Sequence, residues 1–302
     1  MKKIGIISHD AGGAEILSSW VKDNYNKYDF IFFLDGPAKS IFEKNLKTNN
    51  INKDNLCTNE FINLCDFLIC GTSWQSNLEK NFIKACKLKK KKIISILDHW
   101  FNYRERFILD GEIILPNEIW VTNNYAFEIA HRVFKDLEVK QIEDYYSNIL
   151  KKKIKKYSKK NLLKETQKIL YVCEPIREHA ELQYGDENYH GYTEESAVRY
   201  FLENLSLLDM TIKKILIRPH PSEQIIKYNW LLNEFKYLNI KISSENELIK
   251  DILSSDAVVG CESMALVVGL LAKKRVISSI PPEGRECVLP HQSIEKLKDI
   301  KL

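Results

Sequence analysis

The chain has 302 residues, of which 44% are hydrophobic and 28% are charged, and this composition excludes a disordered or collagen-like protein. Forty-five Lys and Arg residues against 41 Asp and Glu residues leave a formal net charge of +4, which is too small to indicate nucleic-acid binding. The seven cysteines are odd in number and lack CxxC spacing, so the sequence predicts neither a zinc site nor a disulfide framework.

The location of the protein follows from the same features. A reducing cytoplasm fits unpaired cysteines. No window reaches the roughly 18 to 20 apolar residues that span a bilayer, and the apolar stretch at the amino terminus is too short for a signal peptide. We therefore expect a cytoplasmic protein, with peripheral contact to the inner membrane through a lysine-rich segment as a minor alternative.

Short apolar runs alternate with helical patterns along the first half, which is typical of parallel βα units. Each run is apolar almost throughout, as expected for a strand that is covered by helices on both faces. The predicted strands are residues 3–8, 30–34, 67–70, 93–97 and 119–121, and the predicted helices are residues 13–21, 38–45, 78–86 and 125–134.

The turn after the first predicted strand is rich in small and polar residues. Gly12 and Gly13 provide a backbone that a donor or acceptor sugar can approach closely, and His9 or Asp10 is a candidate general base. The turn does not match GxGxxG and the chain has no GxxxxGK[ST] loop, so neither a dinucleotide site nor a P-loop is predicted. The alternative is a plain βα turn in which the glycines only relieve crowding.

The strand at residues 93–97 runs into a loop that is dense in polar and aromatic residues. Asp98, at the carboxyl end of this strand, is the first candidate for the general base. The alternative is a loop acid that only pairs with Arg104 or Arg106. Four neighbouring side chains offer stacking faces or polar groups to an acceptor or sugar. These candidate contacts are His99, Trp100, Tyr103 and Arg104.

A break in the pattern separates the two halves. Seven lysines fall among residues 151–160, which contribute no core. We predict a linker over residues 151–165, between an acceptor-binding domain at residues 1–150 and a nucleotide-sugar-binding domain at residues 166–302. The predicted fold class is α/β, with two Rossmann-like domains facing a central cleft, where such folds bind small molecules (GT-B-like).

The βα alternation returns in the second half. The predicted strands are residues 169–173, 214–218, 240–242, 257–260 and 276–280, and the predicted helices are residues 194–207, 225–235, 245–253 and 263–271. Glu174 follows the first of these strands and is a candidate acceptor for a ribose hydroxyl. The loop at residues 184–192 either folds over a nucleotide or is merely mobile. Because its acidic residues form no Asp-x-Asp motif, we predict a metal-independent mechanism without a cofactor.

The strand at residues 214–218 ends in a charged turn between two prolines, Arg218-Pro219-His220-Pro221-Ser222-Glu223. The prolines fix the backbone of His220, and a helix that is predicted to begin near Ser222 adds N–H groups that attract anions. Arg218 adds a forked cation, and Glu223 an acceptor for a base or sugar hydroxyl. The turn therefore predicts a phosphate site, and the alternative is a stiff turn with a surface histidine.

A second turn of this kind follows residues 257–260. Gly260 permits the turn, Glu262 lies within it, and Ser263 is a plausible N-cap of the next helix, whose first N–H groups form a second anion site. The alternative is that Ser263 only caps a buried helix. A nucleotide with a single phosphate would fit between the two turns.

The two turns together resemble the nucleotide-binding half of GT-B glycosyltransferases. The similarity is closest to bacterial sialyltransferases and Kdo or capsule transferases that carry an HP motif, matched here by His220 and Pro221. In those families the histidine contacts the phosphate of a CMP-sugar and a later serine turn supports it, which implies these roles for His220 and Ser263. The resemblance also implies an acidic base near Asp98, although Asp-His-Trp replaces the acidic motif of those families.

The resemblance implies an inverting, metal-independent glycosyltransferase that moves a CMP-activated nonulosonic acid or Kdo-type sugar to a surface glycan. Asp98 would remove the acceptor proton, while His220 and Arg218 stabilise the leaving phosphate. The expected partners are a nucleotide-sugar donor and a glycan or glycolipid acceptor, without nucleic acid. Two alternatives are a UDP-sugar 2-epimerase or hydrolase of the same fold, and a non-catalytic nucleotide- or sugar-binding protein.

Overall fold

The computed structural model describes residues 1–48, 56–73, 76–158 and 167–301. The chain divides into two compact units, Met1–Ile149 and Leu150–Leu302. Within the described residues each unit holds a six-stranded sheet whose neighbouring strands all run parallel. The predicted fold class, α/β with two Rossmann-like units, is confirmed.

The first unit is built on a sheet with the strand order β2-β1-β3-β4-β7-β8. Its central strands are buried on both faces, as shown by the neighbouring residues Ile6 and Ile7 of β1, because helices cover each side of the sheet. A small antiparallel hairpin, β5-β6, lies outside this sheet. The elements of this unit are β1 Lys3–Ser8, α1 Ala11–Asn24, β2 Asp29–Leu34, α2 Ala38–Leu46, α3 Thr58–Leu64, β3 Phe67–Cys70, α4 Leu78–Leu88, β4 Ile93–Ile96, β5 Ile108–Leu109, β6 Glu112–Ile113, β7 Glu118–Val121, α5 Asn124–Val133, β8 Glu138–Gln141 and α6 Tyr145–Ser158.

The second unit is built on a sheet with the strand order β11-β10-β9-β12-β13-β14. Its core includes Tyr171 of β9 and Tyr228, whose rings are almost fully buried. The strand β9 lies between β10 and β12, so the segments that follow these three strands are neighbours at one edge. The elements of this unit are β9 Lys168–Val172, α7 Ile176–Tyr184, α8 Glu194–Glu203, β10 Lys214–Arg218, α9 Trp230–Glu234, β11 Ile240–Ile242, α10 Leu248–Leu253, β12 Ala257–Gly260, α11 Met264–Leu271, β13 Arg275–Ser278 and β14 Glu295–Lys296.

The lysine-rich segment that the sequence predicted as a linker is helical as far as residue 158. Residues 151–158 form the second half of α6, which crosses the boundary between the two units. Lysine is a good helix former, and the buried side chain of Leu150 anchors the helix. The remainder of the predicted linker, residues 159–165, lies outside the described residues. No helix in the described part of the chain combines the length and the apolar character needed to cross a bilayer.

Candidate functional site

In each parallel sheet the carboxyl ends of all strands lie at one edge, and most of the predicted site residues follow those ends. In the first unit Asp98 follows β4, and its Oδ1 accepts a hydrogen bond from Arg106 Nη1 at 2.6 Å. Arg106 is buried and also donates to Thr72 Oγ1 at 3.0 Å. Asp98 Oδ2 lies against Gly12, where a Cβ atom would overlap it. Asp98 therefore forms the ion pair that the sequence left open as its alternative role.

A histidine and an aspartate interact in the turn after β1. His9 Nδ1 lies 2.7 Å from Asp10 Oδ1, and the Ser73 hydroxyl donates to the same oxygen at 2.6 Å. Because a carboxylate only accepts, Nδ1 carries the hydrogen and Nε2 is the basic nitrogen. The imidazole packs against Gly36, whose φ is +50° and whose Cβ position lies 2.6 Å from His9 Nε2. This is the arrangement of a general base and the acid that orients it.

Glu79, which the sequence analysis missed, supports this turn from the first turn of α4. Its Oε1 accepts the backbone N–H of His9 at 2.8 Å, and its side chain is 2% exposed. Burial raises the pKa of Glu79 to about 7, and the charge of Asp10 adds to the rise. Its Oε2 has no hydrogen-bond partner among the described residues. The sequence offered one signal that Glu79 is buried: its spacing from Phe82 and Cys86 places it on the same helix face as these apolar residues.

Of the predicted acceptor contacts on the following loop, Trp100, Tyr103 and Arg104 line one cavity, and His99 is not among its lining residues. This cavity has a volume of about 680 Å3 and lies between the loop and α5. The rings of Trp100 and Tyr103 are 8% and 3% exposed, and Trp100 Nε1 donates to Asn123 Oδ1 at 3.1 Å. Arg104 is exposed at the rim, and the ring of His99 lies 5.5 Å from that of Trp100. Gly12 and Gly13 lie apart from this cavity, in the first turn of α1.

In the second unit the turn after β10 fixes the imidazole of His220. Its Nδ1 accepts a hydrogen bond from the backbone N–H of Ser222 at 3.2 Å and lies 2.7 Å from the Ser222 hydroxyl. Burial lowers the pKa of His220, so the ring is neutral at pH 7. Since Nδ1 accepts, the proton is on Nε2, which has no hydrogen-bond partner among the described residues. His220 therefore offers a neutral N–H donor, while Pro221 is exposed beside it.

The helix that the sequence predicted to begin near Ser222 is absent from this described segment, and that prediction is wrong. Residues 225–228 form a single 3-10 turn, and α9 begins only at Trp230. The backbone N–H of Glu223 donates to His220 O at 2.8 Å, which closes a tight turn instead of a helical one. The predicted phosphate site at His220 thus lacks the helix N-terminus that was expected there.

Arg218 and Glu223 have structural partners within the chain. Arg218 Nη1 donates to Asp251 Oδ2 at 2.6 Å and ties β10 to α10. The Glu223 side chain is 2% exposed, and its Oε1 accepts from Lys227 Nζ at 2.8 Å while its Oε2 accepts from His220 N at 2.9 Å. Lys227 also contacts two further carboxylates, those of Glu178 and Glu194. These contacts hold the His220 turn in place.

The turn after β12 holds a carboxyl group of the chain itself. Glu174 Oε1 accepts three backbone N–H groups, from Cys261 at 3.1 Å, Glu262 at 2.8 Å and Ser263 at 2.9 Å. Burial and the charge of Glu262 raise the pKa of Glu174 to about 8. Ser263 caps α11 by accepting from Ala265 N at 3.1 Å. The predicted second anion site is therefore filled by Glu174.

Two further features complete this edge of the second unit. Glu262 is buried and pairs with Arg285. Gly260 lies so close to β9 that a Cβ atom would be 2.7 Å from Val172 Cγ2. Glu174, Glu262, Ser263 and His220 therefore lie after the ends of three adjacent strands, and Gly260 is the last residue of β12. The sequence predicted that they share one edge of the sheet, but not which strands are neighbours.

Comparison with known proteins identifies the fold. No protein-family profile and no curated protein matches the sequence. The UDP-GlcNAc 2-epimerase from Neisseria meningitidis bound to UDP-GlcNAc is 11% identical, with a TM-score of 0.59 over 91% of this chain and 82% of that chain. The UDP-N-acetylglucosamine 2-epimerase from Rickettsia bellii is 12% identical, with a TM-score of 0.59 over 92% of this chain and 79% of that chain. A glycosyltransferase from Rickettsia africae is 15% identical, with a TM-score of 0.52 over 92% of this chain and 79% of that chain. This chain therefore shares a GT-B-like fold with such enzymes.

Proposed function

We propose that this protein is an inverting, metal-independent glycosyltransferase that uses a nucleotide-activated sugar. The second unit binds the donor, a CMP-activated nonulosonic acid or Kdo-type sugar, and the first unit binds the acceptor, a surface glycan. Support comes from the fold, which solved structures named as nucleotide-sugar enzymes share, and from the HP turn.

The observation that carries the proposal is the state of His220. Its Nδ1 is held by Ser222, so a neutral Nε2–H donor stands at the carboxyl edge of a parallel sheet. Such a donor stabilises negative charge that grows on a phosphate oxygen as the bond to the sugar breaks. A neutral imidazole does this without a cation, which agrees with a metal-independent reaction.

Of the three candidate bases, the geometry favours His9 over Asp98 and Asp10. Asp98 holds Arg106, and Asp10 orients His9, whereas His9 Nε2 is the basic nitrogen of an oriented imidazole. In the proposed step Nε2 takes the proton of the acceptor hydroxyl. The hydroxyl oxygen forms a bond to the anomeric carbon while the bond from that carbon to the phosphate oxygen breaks, and the electron pair leaves with the phosphate.

The test combines a binding panel with one substitution. Calorimetry against CMP, UDP and GDP should show the tightest binding for CMP. His220→Ala should lower turnover by about 100- to 1,000-fold and weaken nucleotide binding as well. The exposed His131→Ala is the matched control, because it removes an imidazole of the first unit that, within the described part of the chain, stacks only on Phe127 of the same helix. Unchanged transfer kinetics in the His220 variant would reject the assignment.

A UDP-sugar 2-epimerase is the second candidate, and the names of the compared structures favour it. Several of them are called UDP-GlcNAc 2-epimerases, and one is described as bound to UDP-GlcNAc. This candidate predicts tight UDP binding with little for CMP, and conversion of a UDP-sugar without an acceptor. Binding of a nucleotide with no turnover of any sugar would instead indicate a non-catalytic binding protein.

A further inference from the structure

Glu174 fills an anion site with a side chain of the same protein. Three backbone N–H groups converge on its Oε1, and a fourth group at this end of α11, the N–H of Ala265, donates to Ser263 Oγ. A phosphate oxygen is what such a cluster of N–H groups commonly binds. Here the carboxyl oxygen of Glu174 takes its place.

A second observation is a buried hydroxyl in the same part of the second unit. The hydroxyl of Tyr192 is buried, with 3% of the residue exposed, and has no hydrogen-bond partner among the described residues. Tyr192 belongs to the same buried cluster as Cys261, whose N–H is one of the three donors to Glu174. A buried hydroxyl without a partner is costly, and a ligand oxygen would satisfy it.

A second phosphate group meets two obstacles at this position. The carboxyl group of Glu174 would have to give up three hydrogen bonds, and it would then be buried beside the carboxyl group of Glu262. If it stayed, its Oε1 would keep the three N–H groups occupied, so the incoming oxygens would find no free N–H donor among them. The donor that remains in the proposed phosphate site is His220 Nε2–H, which suits one phosphate group.

We propose that Glu174 is the residue that makes the second unit select nucleotides with one phosphate over nucleotides with two. The inference rests on the proposed function, and it names the substrate class of that site: a sugar linked to a nucleoside monophosphate. Glu174 thereby determines specificity and need not touch the sugar.

The first experiment uses the wild-type chain. Calorimetry with CMP against CDP, and with UMP against UDP, should show the monophosphate binding at least as tightly as the diphosphate. This result would be unusual, because the additional charge of a diphosphate ordinarily strengthens binding to N–H donors. A diphosphate preference of about tenfold or more, the size of one hydrogen bond to a charged group, overturns the proposal.

Two substitutions then test whether the preference comes from the side chain that occupies the N–H cluster or from the charge of Glu174. Glu174→Ala vacates the N–H cluster and should raise CDP affinity by about tenfold while CMP affinity changes little. Glu174→Gln keeps the size and an acceptor oxygen, so it should behave as wild type. Equal CDP affinity in the Ala and Gln variants overturns the proposal. If the Ala variant does not fold, Glu174→Asp shortens the side chain by one methylene, and it should then give the gain instead.

A measurement that needs no nucleotide distinguishes the failure of this proposal from the failure of the proposed function. If no nucleotide binds, the proposed function fails, and thermal unfolding with inorganic phosphate and pyrophosphate still examines the N–H cluster. Pyrophosphate should stabilise Glu174→Ala more than phosphate does and should give no such difference in the wild type. Identical responses of the two proteins would refute the role of Glu174.

Discussion

The carboxyl edges of the two sheets differ in hydrogen-bonding character, although both sheets have six parallel strands among the described residues. In the first unit the edge is rich in acceptors, with Asp10 and Glu79 bonded to His9 and Asp98 packed against Gly12. In the second unit a carboxyl group is already bound by N–H groups, and His220 offers a neutral donor. In the proposed function the first edge deprotonates a hydroxyl group and the second edge binds an oxyanion. The polar residues that follow the strands carry these proposed roles.

The largest effect is expected from removing the base of the acceptor-rich edge. His9→Ala should lower turnover by about 100- to 10,000-fold, the range of general base catalysis, while nucleotide affinity stays at the wild-type value. The affinity is preserved because the proposed nucleotide site belongs to the second unit. Transfer assays and calorimetry on the same variant measure both quantities.

Asp98→Asn serves as the comparison for His9→Ala. It leaves the buried Arg106 without its ion pair, which costs about 3–5 kcal/mol of stability. The folded fraction of this variant should keep more activity than His9→Ala. The reverse order, with Asp98→Asn inactive and His9→Ala active in folded protein, would assign the base to Asp98.

A smaller effect is expected when Gly36, which packs against His9, is replaced by Ala, with Gly111→Ala as the control. Gly36→Ala places a methyl group against the His9 ring, whereas Gly111, also at positive φ, has nothing within 4 Å of its Cβ position. Both substitutions strain the backbone, but only Gly36→Ala adds overpacking, worth about 1–3 kcal/mol. Urea unfolding should show a larger loss of stability for Gly36→Ala than for Gly111→Ala. Turnover should fall in Gly36→Ala alone. Equal losses in the two variants would show that Gly36 does not position His9.

The most gradual effect is expected from Glu79, because it develops over several pH units. Its pKa rises from 4.5 in the unfolded chain to about 7 in the folded one, so the folded state binds more protons between these values. The contribution of Glu79 is therefore complete below pH 4.5 and is lost as the pH rises through about 7. Urea midpoints from pH 5 to 8 should fall less steeply in Glu79→Gln than in the wild type. Parallel profiles would show that Glu79 does not titrate in this range.

The sequence was sufficient for most strands of the two sheets, although it missed β8 and β14. The predicted bounds at residues 67–70, 214–218, 240–242 and 257–260 are those of the structure. Except for the edge strand at residues 240–242, each is mainly apolar, and burial on both faces leaves little freedom in where it begins and ends. Because parallel strands share their carboxyl edge, the residues after them could be assigned to a site by sequence alone.

The contacts among those residues could not be predicted. Glu174 reaches Ser263 across 89 positions, and this depends on β9 lying between β10 and β12. Short-range patterns do not determine strand order, so Glu174 could be assigned to the edge but not to the N–H groups that it binds. The helix expected near Ser222 failed for a local reason, since two prolines and the Ser222 hydrogen bonds favour a tight turn.

The contact between Gly260 and β9 limits how this protein can be redesigned. Val172 O lies 2.9 Å from the Cβ position of Gly260, so any side chain there would push the end of β12 away from its neighbour. The spacing that brings the following amides to Glu174 would be lost with it. An engineer who wants a different anion in this place has position 174 to vary, whereas position 260 is closed to every residue larger than glycine.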